Sequence, residues 1–320
     1  MSASVPVSHH CAPLTLEQAE KLRSILRARG FQFFEKPHTL FAAKGEKINI
    51  AVYKKGPKVL LQGKDIAPFI EFVLEPEVLG EATFGYEEEL HPDRFSPHFG
   101  IDETGKGDFF GPLVIAGVYV DSELARKFRE QGIIDSKRVT TDGRIRALAQ
   151  FIRKTHAPHT IISISPSRYN DLIDKLGNVN RLLAWGHARA IENLLEQVPD
   201  CPRVLSDKFA QENLLRRALL EKGRSITLEQ QTKAESDPAV AAASILAREK
   251  LIDWFEVAAK EVGEPTPFPR GASANVKRRA RALLEKIGTS EMRRFVKTHF
   301  KTFAEICGSS IGEQKQPTLG

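Results

Sequence analysis

Apolar residues recur at helical spacing just after Thr15, with Leu22, Ile25 and Leu26 on one face. Thr15 and Gln18 form a capping box that opens this helix, and Gly30 stands where a C-terminal glycine cap belongs. The period then shortens. Strands are expected over 31–34, 39–43, 47–53 and 58–62, with Lys44-Gly45 and Gly56-Pro57 as turns, and a further helix over 65–74. These segments predict a small α+β unit on an antiparallel sheet.

From about residue 98 the pattern alternates between strand and helix. Strands are expected over 99–103, 113–120, 160–165, 203–207 and 225–231. Helices are expected over 122–131, 140–156, 166–176, 179–198 and 211–222, and a long one starts after Asp237-Pro238. This order predicts an α/β domain, a mixed sheet flanked by helices with some parallel pairing. A chain of 320 residues accommodates two domains. We place them at 1–75 and 98–306, joined by an acidic, proline-containing linker at 76–97 and followed by a tail at 307–320.

Charge sharpens the first boundary. Between residues 21 and 64 there are eleven basic residues against two acidic, and between 65 and 90 there are eight acidic and no basic ones. The net charge of +6 leans toward an anionic partner such as nucleic acid. Cys11, Cys201 and Cys307 are scattered and fit neither a disulfide framework nor a zinc site, which suggests a reducing cytosol. The opening residues show no signal-peptide pattern, and the longest apolar run, 113–120, is too short to span a membrane. A cytoplasmic protein is expected, with no membrane partner, acting as a monomer.

Candidate chemistry gathers at strand ends. Asp102 and Glu103 close an apolar strand and run into Gly105-Lys106-Gly107. Hard cations such as Mg²⁺ take oxygen ligands, and two ions about 4 Å apart serve phosphodiester cleavage. Successive strand residues face opposite sides, so one shared site requires the backbone to leave the pleat near Glu103, or Glu103 to reach round. The glycines would let the backbone approach a ligand closely, including 2′-hydroxyls of RNA, with Lys106 near a phosphate. Asp207 ends another apolar run before a helix. Glu235 and Asp237 precede the small-residue helix PAVAAASILAR; Asp237 before Pro238 is placed to cap it, whereas Glu235 has no such structural task.

With these residues identified, the chain resembles bacterial ribonuclease HIII, a type 2 ribonuclease H related to ribonuclease HII. The resemblance rests on Gly100-Ile101-Asp102-Glu103-Thr104-Gly105-Lys106-Gly107 with Gly111-Pro112, on Asp135-Ser136-Lys137, and on Ser206-Asp207. It continues in Lys233-Ala234-Glu235 with 241–247, and in Lys297-Thr298-His299-Phe300. It implies a ribonuclease H-like fold preceded by a domain like the TATA-box-binding protein that grips the substrate. It also implies hydrolysis of the RNA strand of RNA–DNA hybrids with Mg²⁺ or Mn²⁺, two ions per site, leaving 5′-phosphate and 3′-hydroxyl ends. Asp102 would bridge the ions, Glu103 and Asp207 would each complete one shell, and Glu235 or Asp237 would be the fourth acid. The HII branch has an aspartate directly after Lys-Ala where this chain has Glu235, and the spacing to the helix keeps Asp237 as an alternative.

Two basic regions could hold the nucleic-acid backbone. One contains Lys44, Lys47, Lys54, Lys55 and Lys58; the other is Arg- and Lys-rich and runs from Lys277 to Lys301, including Lys297. Lys137 is a further candidate for phosphate contact, His299 for proton transfer, and Phe31, Phe33, Phe34 and Phe41 are expected mostly in the core. Two other readings stand beside the hybrid-directed nuclease: excision at single ribonucleotides in DNA, as by ribonuclease HII, and non-catalytic nucleic-acid binding.

Overall fold

Thr15 caps the first helix as the sequence predicts: its side chain accepts from Gln18 N, and the Gln18 side chain accepts from Thr15 N at 2.8 Å. The computed structural model describes residues 9–81, 86–133, 139, 141–207, 212–219, 225–231 and 234–312. The side chains of Glu87, Glu212, Asn213, Glu235 and residues 309–312 lie outside that description. The chain divides into two compact units, Met1–Asp93 and Arg94–Gly320.

The first unit opens with β1 (His9–Pro13) and α1 (Leu16–Ala28). There follow β2 (Gln32–Phe34), β3 (Thr39–Lys44), β4 (Ile48–Tyr53) and β5 (Lys58–Gly63). Helix α2 (Ile66–Phe69) continues into a π-helical segment, Ile70–Leu79, closed by Gly80 in the left-handed region. The strands form one antiparallel sheet in the order β1-β5-β4-β3-β2. Ile48, Ile50, Val52, Val59 and Leu61 project to one face and pack with Leu22 and Leu26 of α1 and with Ile70 and Leu74. Strand β1 was not legible in the pattern, because His9–Pro13 has no apolar alternation and is recruited by main-chain pairing to β5. Two short helical turns follow, α3 (Glu87–Leu90) and a 3₁₀ turn at Pro92–Phe95.

The second unit is built on β6 (His98–Thr104), β7 (Leu113–Val120), β8 (His159–Ile164), β9 (Arg203–Asp207) and β10 (Thr227–Gln231). Its helices are α4 (Ser122–Glu130), α5 (Asp142–Lys154), α6 (Pro166–Leu176), α7 (Val179–Gln197) and α8 (Glu212–Ala218). They continue with α9 (Pro238–Glu261), α10 (Ala274–Met292) and α11 (Lys301–Gly312). The sheet order is β10-β9-β6-β7-β8. β6, β7 and β8 pair antiparallel, whereas β9 pairs parallel with β6 and β10 parallel with β9. This is the mixed sheet expected.

Alternation along the strands divides the core. Val114, Ala116, Val118 and Val120 of β7 pack with α4, α5 and α9, while Leu113 and Ile115 pack with α6 and α7 on the other face. Helix α9 lies unusually close to the sheet. A Cβ on Gly100 would stand 2.2 Å from Val240 N, so only glycine admits the helix there. Ala239, Ala241, Ala242 and Ala243 keep the helix's own contribution thin. Among the described residues no helix is long and apolar enough to cross a membrane.

Candidate active site

The acids of β6 keep the pleat. Pairing with β7 runs without a break through Asp102↔Ala116, Glu103↔Ile115 and Thr104↔Val114. Of the two routes to a shared site, a departure from the pleat at Glu103 is therefore absent, because the ladder to β7 holds the strand regular; a shared site then requires the longer arm of Glu103 to reach round the strand end. The chain turns only at Gly105, where φ is 85° and a Cβ would lie 2.2 Å from Pro112 O. In consequence Asp102 faces α9, where Ser244 hydrogen-bonds its carboxyl, and Glu103 faces α7, where His187 Nε2 donates to Glu103 Oε2 at 3.0 Å.

The two carboxyls differ electrostatically. Burial pushes the Asp102 carboxyl up to about 7, against the Ser244 bond, and the charge of Glu103 adds to the rise. Burial also acts to raise Glu103, but the bond and charge of His187 and the charge of Lys106 outweigh it, and Glu103 lies below the ordinary carboxylate range.

Asp207 ends β9, which runs parallel to β6. The last pair between them is Ile101↔Ser206, so Asp207 stands level with Asp102 one step further on. Leu205 packs against Val240 of α9, and by alternation Asp207, two residues on, faces the same side. The 3₁₀ turn Ala234–Ser236 carries the Glu235 backbone to the start of α9, with Ala234 packed on Leu205 and Val240. Asp237 is committed elsewhere. Its Oδ1 accepts from Ala239 N at 2.9 Å and Val240 N at 3.2 Å, and His98 Nε2 lies 3.0 Å from both of its oxygens.

Lys106 and Gly107 are exposed in the turn after β6, and nothing lies within 4 Å of a Cβ built on Gly107. Lys137, with Asp135 and Ser136, lies outside the described residues. Lys54 and Lys55 occupy the turn between β4 and β5, and Lys58 begins β5; all three are exposed in the first unit. Lys297 corrects an expectation, since it is fully buried rather than offered to phosphate. Other cations of its region are partly neutralised: Lys277 pairs with Glu305, Arg279 with Glu264, and Arg294 with Glu261. His299 packs between Tyr169 and Phe300. Phe41 is buried and Phe31 packs on Phe69, whereas Phe33 and Phe34 are exposed.

Sequence reasoning missed His187, Ser244, His98 and Arg248. Ser244 had a signal, a lone hydroxyl inside the otherwise apolar run 238–247. Arg248, one turn further, donates to Val139 O and feels the charge of Asp102.

Among the described residues no three His, Cys, Asp or Glu side chains cluster tightly enough to hold an ion. The donor set still fits a hard divalent cation. All the acids at this edge offer oxygen, and a carboxyl held near 7 beside a second carboxylate is an arrangement that a cation relieves.

The sequence model of the family described as Ribonuclease HII matches residues 99–303. A curated relative, ribonuclease HIII of Protochlamydia amoebophila (strain UWE25), is 42% identical over 295 residues, covering 92% of this chain and 95% of the relative. Ribonuclease HIII of Chlamydia pneumoniae is 40% identical over 297 residues, covering 92% and 96%. Among solved structures, the crystal structure of Bst-RNase HIII in complex with Mn²⁺ aligns with a TM-score of 0.64 at 26% identity, covering 96% of this chain and 100% of that one.

Proposed function

Because the chain belongs to the ribonuclease HII family and stands with the ribonucleases HIII, we propose that it is an endonuclease that hydrolyses the RNA strand of RNA–DNA hybrids. One observation carries the site assignment: Asp102, two residues before the end of β6, and Asp207, the last residue of β9, stand level on adjacent parallel strands, on the face covered by α9. Asp102, Asp207 and Glu103 would hold Mg²⁺ or Mn²⁺, two ions with substrate bound. Glu235 would be the fourth acid, since the alternative, Asp237, already caps α9 and pairs with His98. Divalent ions held by these carboxylates would make water a stronger nucleophile and would offset charge on the leaving oxygen, so that cleavage would give 5′-phosphate and 3′-hydroxyl ends.

The chain's own groups prepare that chemistry. Ser244 and the close approach of α9 at Gly100 fix Asp102, and His187 fixes Glu103 from the opposite face. Gly105, Lys106 and Gly107 would meet the RNA strand: the open space at Gly107 admits close backbone approach, and Lys106 supplies charge. Lys137 would add a phosphate contact. Residues 1–75 would form a TATA-box-binding-protein-like substrate-binding domain, with Lys54, Lys55 and Lys58 on phosphates. Residues 76–97 would link it to the catalytic domain, 98–306. We place the enzyme in the cytoplasm, as a monomer.

The family model that matches is that of ribonuclease HII, which favours one further reading, excision at single ribonucleotides in DNA. Cleavage of a duplex with one ribonucleotide is to be compared with that of a duplex with a run of four, each with Mg²⁺ and with Mn²⁺. Preference for the run supports the hybrid-directed reading. Preference for the single ribonucleotide supports the other, and no metal-dependent cleavage of either refutes both.

A further inference from the structure

The turn that carries Lys106 is held from behind by a lysine that does not reach solvent. Lys297 is fully buried, and its Nζ donates to Asp108 O at 2.8 Å and to Gly111 O at 2.6 Å. The same nitrogen lies 5.5 Å from the centre of the Tyr169 ring. Main-chain bonds run alongside: Lys297 N donates to Phe109 O, Gly111 N donates to Phe295 O, and Phe110 and Val296 form an antiparallel bridge. On the other side, Phe109 N donates to Gly271 O, and the Asp108 carboxylate accepts from Gly271 N. Asn170 of α6 secures the rear segment. Its Nδ2 donates to Arg293 O and Val296 O, and its Oδ1 accepts from Thr298 N.

Burying an ammonium group is unfavourable, and an apolar side chain of similar volume would fill the space without that cost. Burial accordingly lowers the Lys297 pKa to about 7, against the opposing charge of Asp108. What an apolar residue cannot do is bond two carbonyls three positions apart in a segment that has left the sheet. That segment, 108–111, is the return arm of the connection whose outward arm is Gly105–Gly107.

We propose that Lys297 is a positioning residue: it fixes the return arm so that Gly105, Lys106 and Gly107 meet the substrate strand in one geometry. This rests on the reading of that turn as a substrate contact. Without the lysine, the buried carbonyl of Gly111 and the half-buried carbonyl of Asp108 lose this donor and the arm relaxes toward other partners. The acids on β6 and β9 stay in place, so substrate affinity suffers more than turnover.

Steady-state cleavage of a hybrid by the full-length chain tests this, using the wild type, Lys106→Ala, Lys297→Met and the double variant. Lys297→Met is expected to raise KM about tenfold and change kcat by less than about threefold. The double variant should be no worse than about the worse single one, because both act on one element. Leu148→Ala, in the α5 core, should lower thermal stability and leave KM unchanged, which separates positioning from general destabilisation. Should Lys297→Met fail to fold, Asn170→Ala loosens the same brace and should raise KM in the same sense. An unchanged KM in Lys297→Met or its substitute, with KM raised in Lys106→Ala, overturns the inference; so does full additivity. An unchanged KM in Lys106→Ala instead overturns the reading of the turn as a substrate contact.

Discussion

His187 donates to Glu103 at 3.0 Å from the opposite face of the sheet to the one on which Ser244 bonds Asp102. The two neighbouring acids are thus oriented by two different helices, α7 and α9, with the sheet between them. Each helix is held to the sheet by its own apolar layer, so the two carboxylates reach the strand's end from fixed and independent directions.

Removing the α7 support should therefore impair the site without unfolding it. His187→Ala is expected to weaken Mg²⁺ affinity or turnover by about 10–100-fold, the range found for partners of metal ligands. His187→Gln, which keeps an amide donor, should recover part of the loss. Metal titrations of cleavage rate provide the check, and equal curves for wild type and His187→Ala would count against the assignment.

The α9 support depends on space. Gly100→Ala places a Cβ 2.2 Å from Val240 N, a main-chain atom that cannot swing aside. A loss of about 3 kcal/mol is expected from such overpacking, read as a lower denaturation midpoint in urea. Because α9 also carries Ser244, cleavage should fall further than the folded fraction does. A variant with unchanged midpoint would mean that α9 does not press on β6 as described.

How much of this was readable beforehand differs from residue to residue. Asp102 and Glu103 stand out in the sequence because an apolar run leads into them and glycine follows; Asp207 stands out because an apolar run ends on it before a helix. The pleat at Glu103 was misjudged. A shared site suggested a break in the strand, and sequence could not show that two helices would serve the two faces separately. His187 lies among buried residues of α7 and gains meaning only once β6 lies opposite it. Lys297 read as one more cation in a basic region, since burial of a single side chain depends on segments nearly 200 positions away. Strand β1 depends likewise on pairing with β5.

The buried lysine also carries a pH signature. Lys297 is held at about 7 in the folded chain against 10.5 for the free side chain. Between those values the unfolded state binds the extra proton, so this group makes stability rise with pH. Its penalty is complete below pH 7 and gone above 10.5, with a slope of at most about 1.4 kcal/mol per pH unit. Cys201, pushed up to about 11 by burial, acts in the opposite sense at alkaline pH but is common to wild type and variant. Urea midpoints at pH 7.5 and 9.5 should therefore climb less in Lys297→Met than in the wild type, by roughly the Lys297 contribution. Parallel profiles would contradict the burial.

The phosphate contacts proposed for the first unit would make hybrid binding depend on salt. Replacing Lys54, Lys55 and Lys58 together by Gln should weaken hybrid binding at low salt and reduce the slope of log affinity against log salt by about two to three. Fluorescence anisotropy with a labelled hybrid measures both. An unchanged slope would remove these lysines from the interface.

Asp102 and Asp207, level on adjacent strands, would form the metal-binding core of the proposed hybrid-cleaving site. The most direct measurement is the rate of hybrid cleavage with Mg²⁺ or Mn²⁺ by Asp102→Asn and Asp207→Asn, each shown by thermal melting to be folded. Both variants are expected to lose activity by on the order of a thousandfold or more, since each substitution would remove a carboxylate proposed to hold the ions. Folded variants that cut the hybrid at rates close to wild type would contradict it.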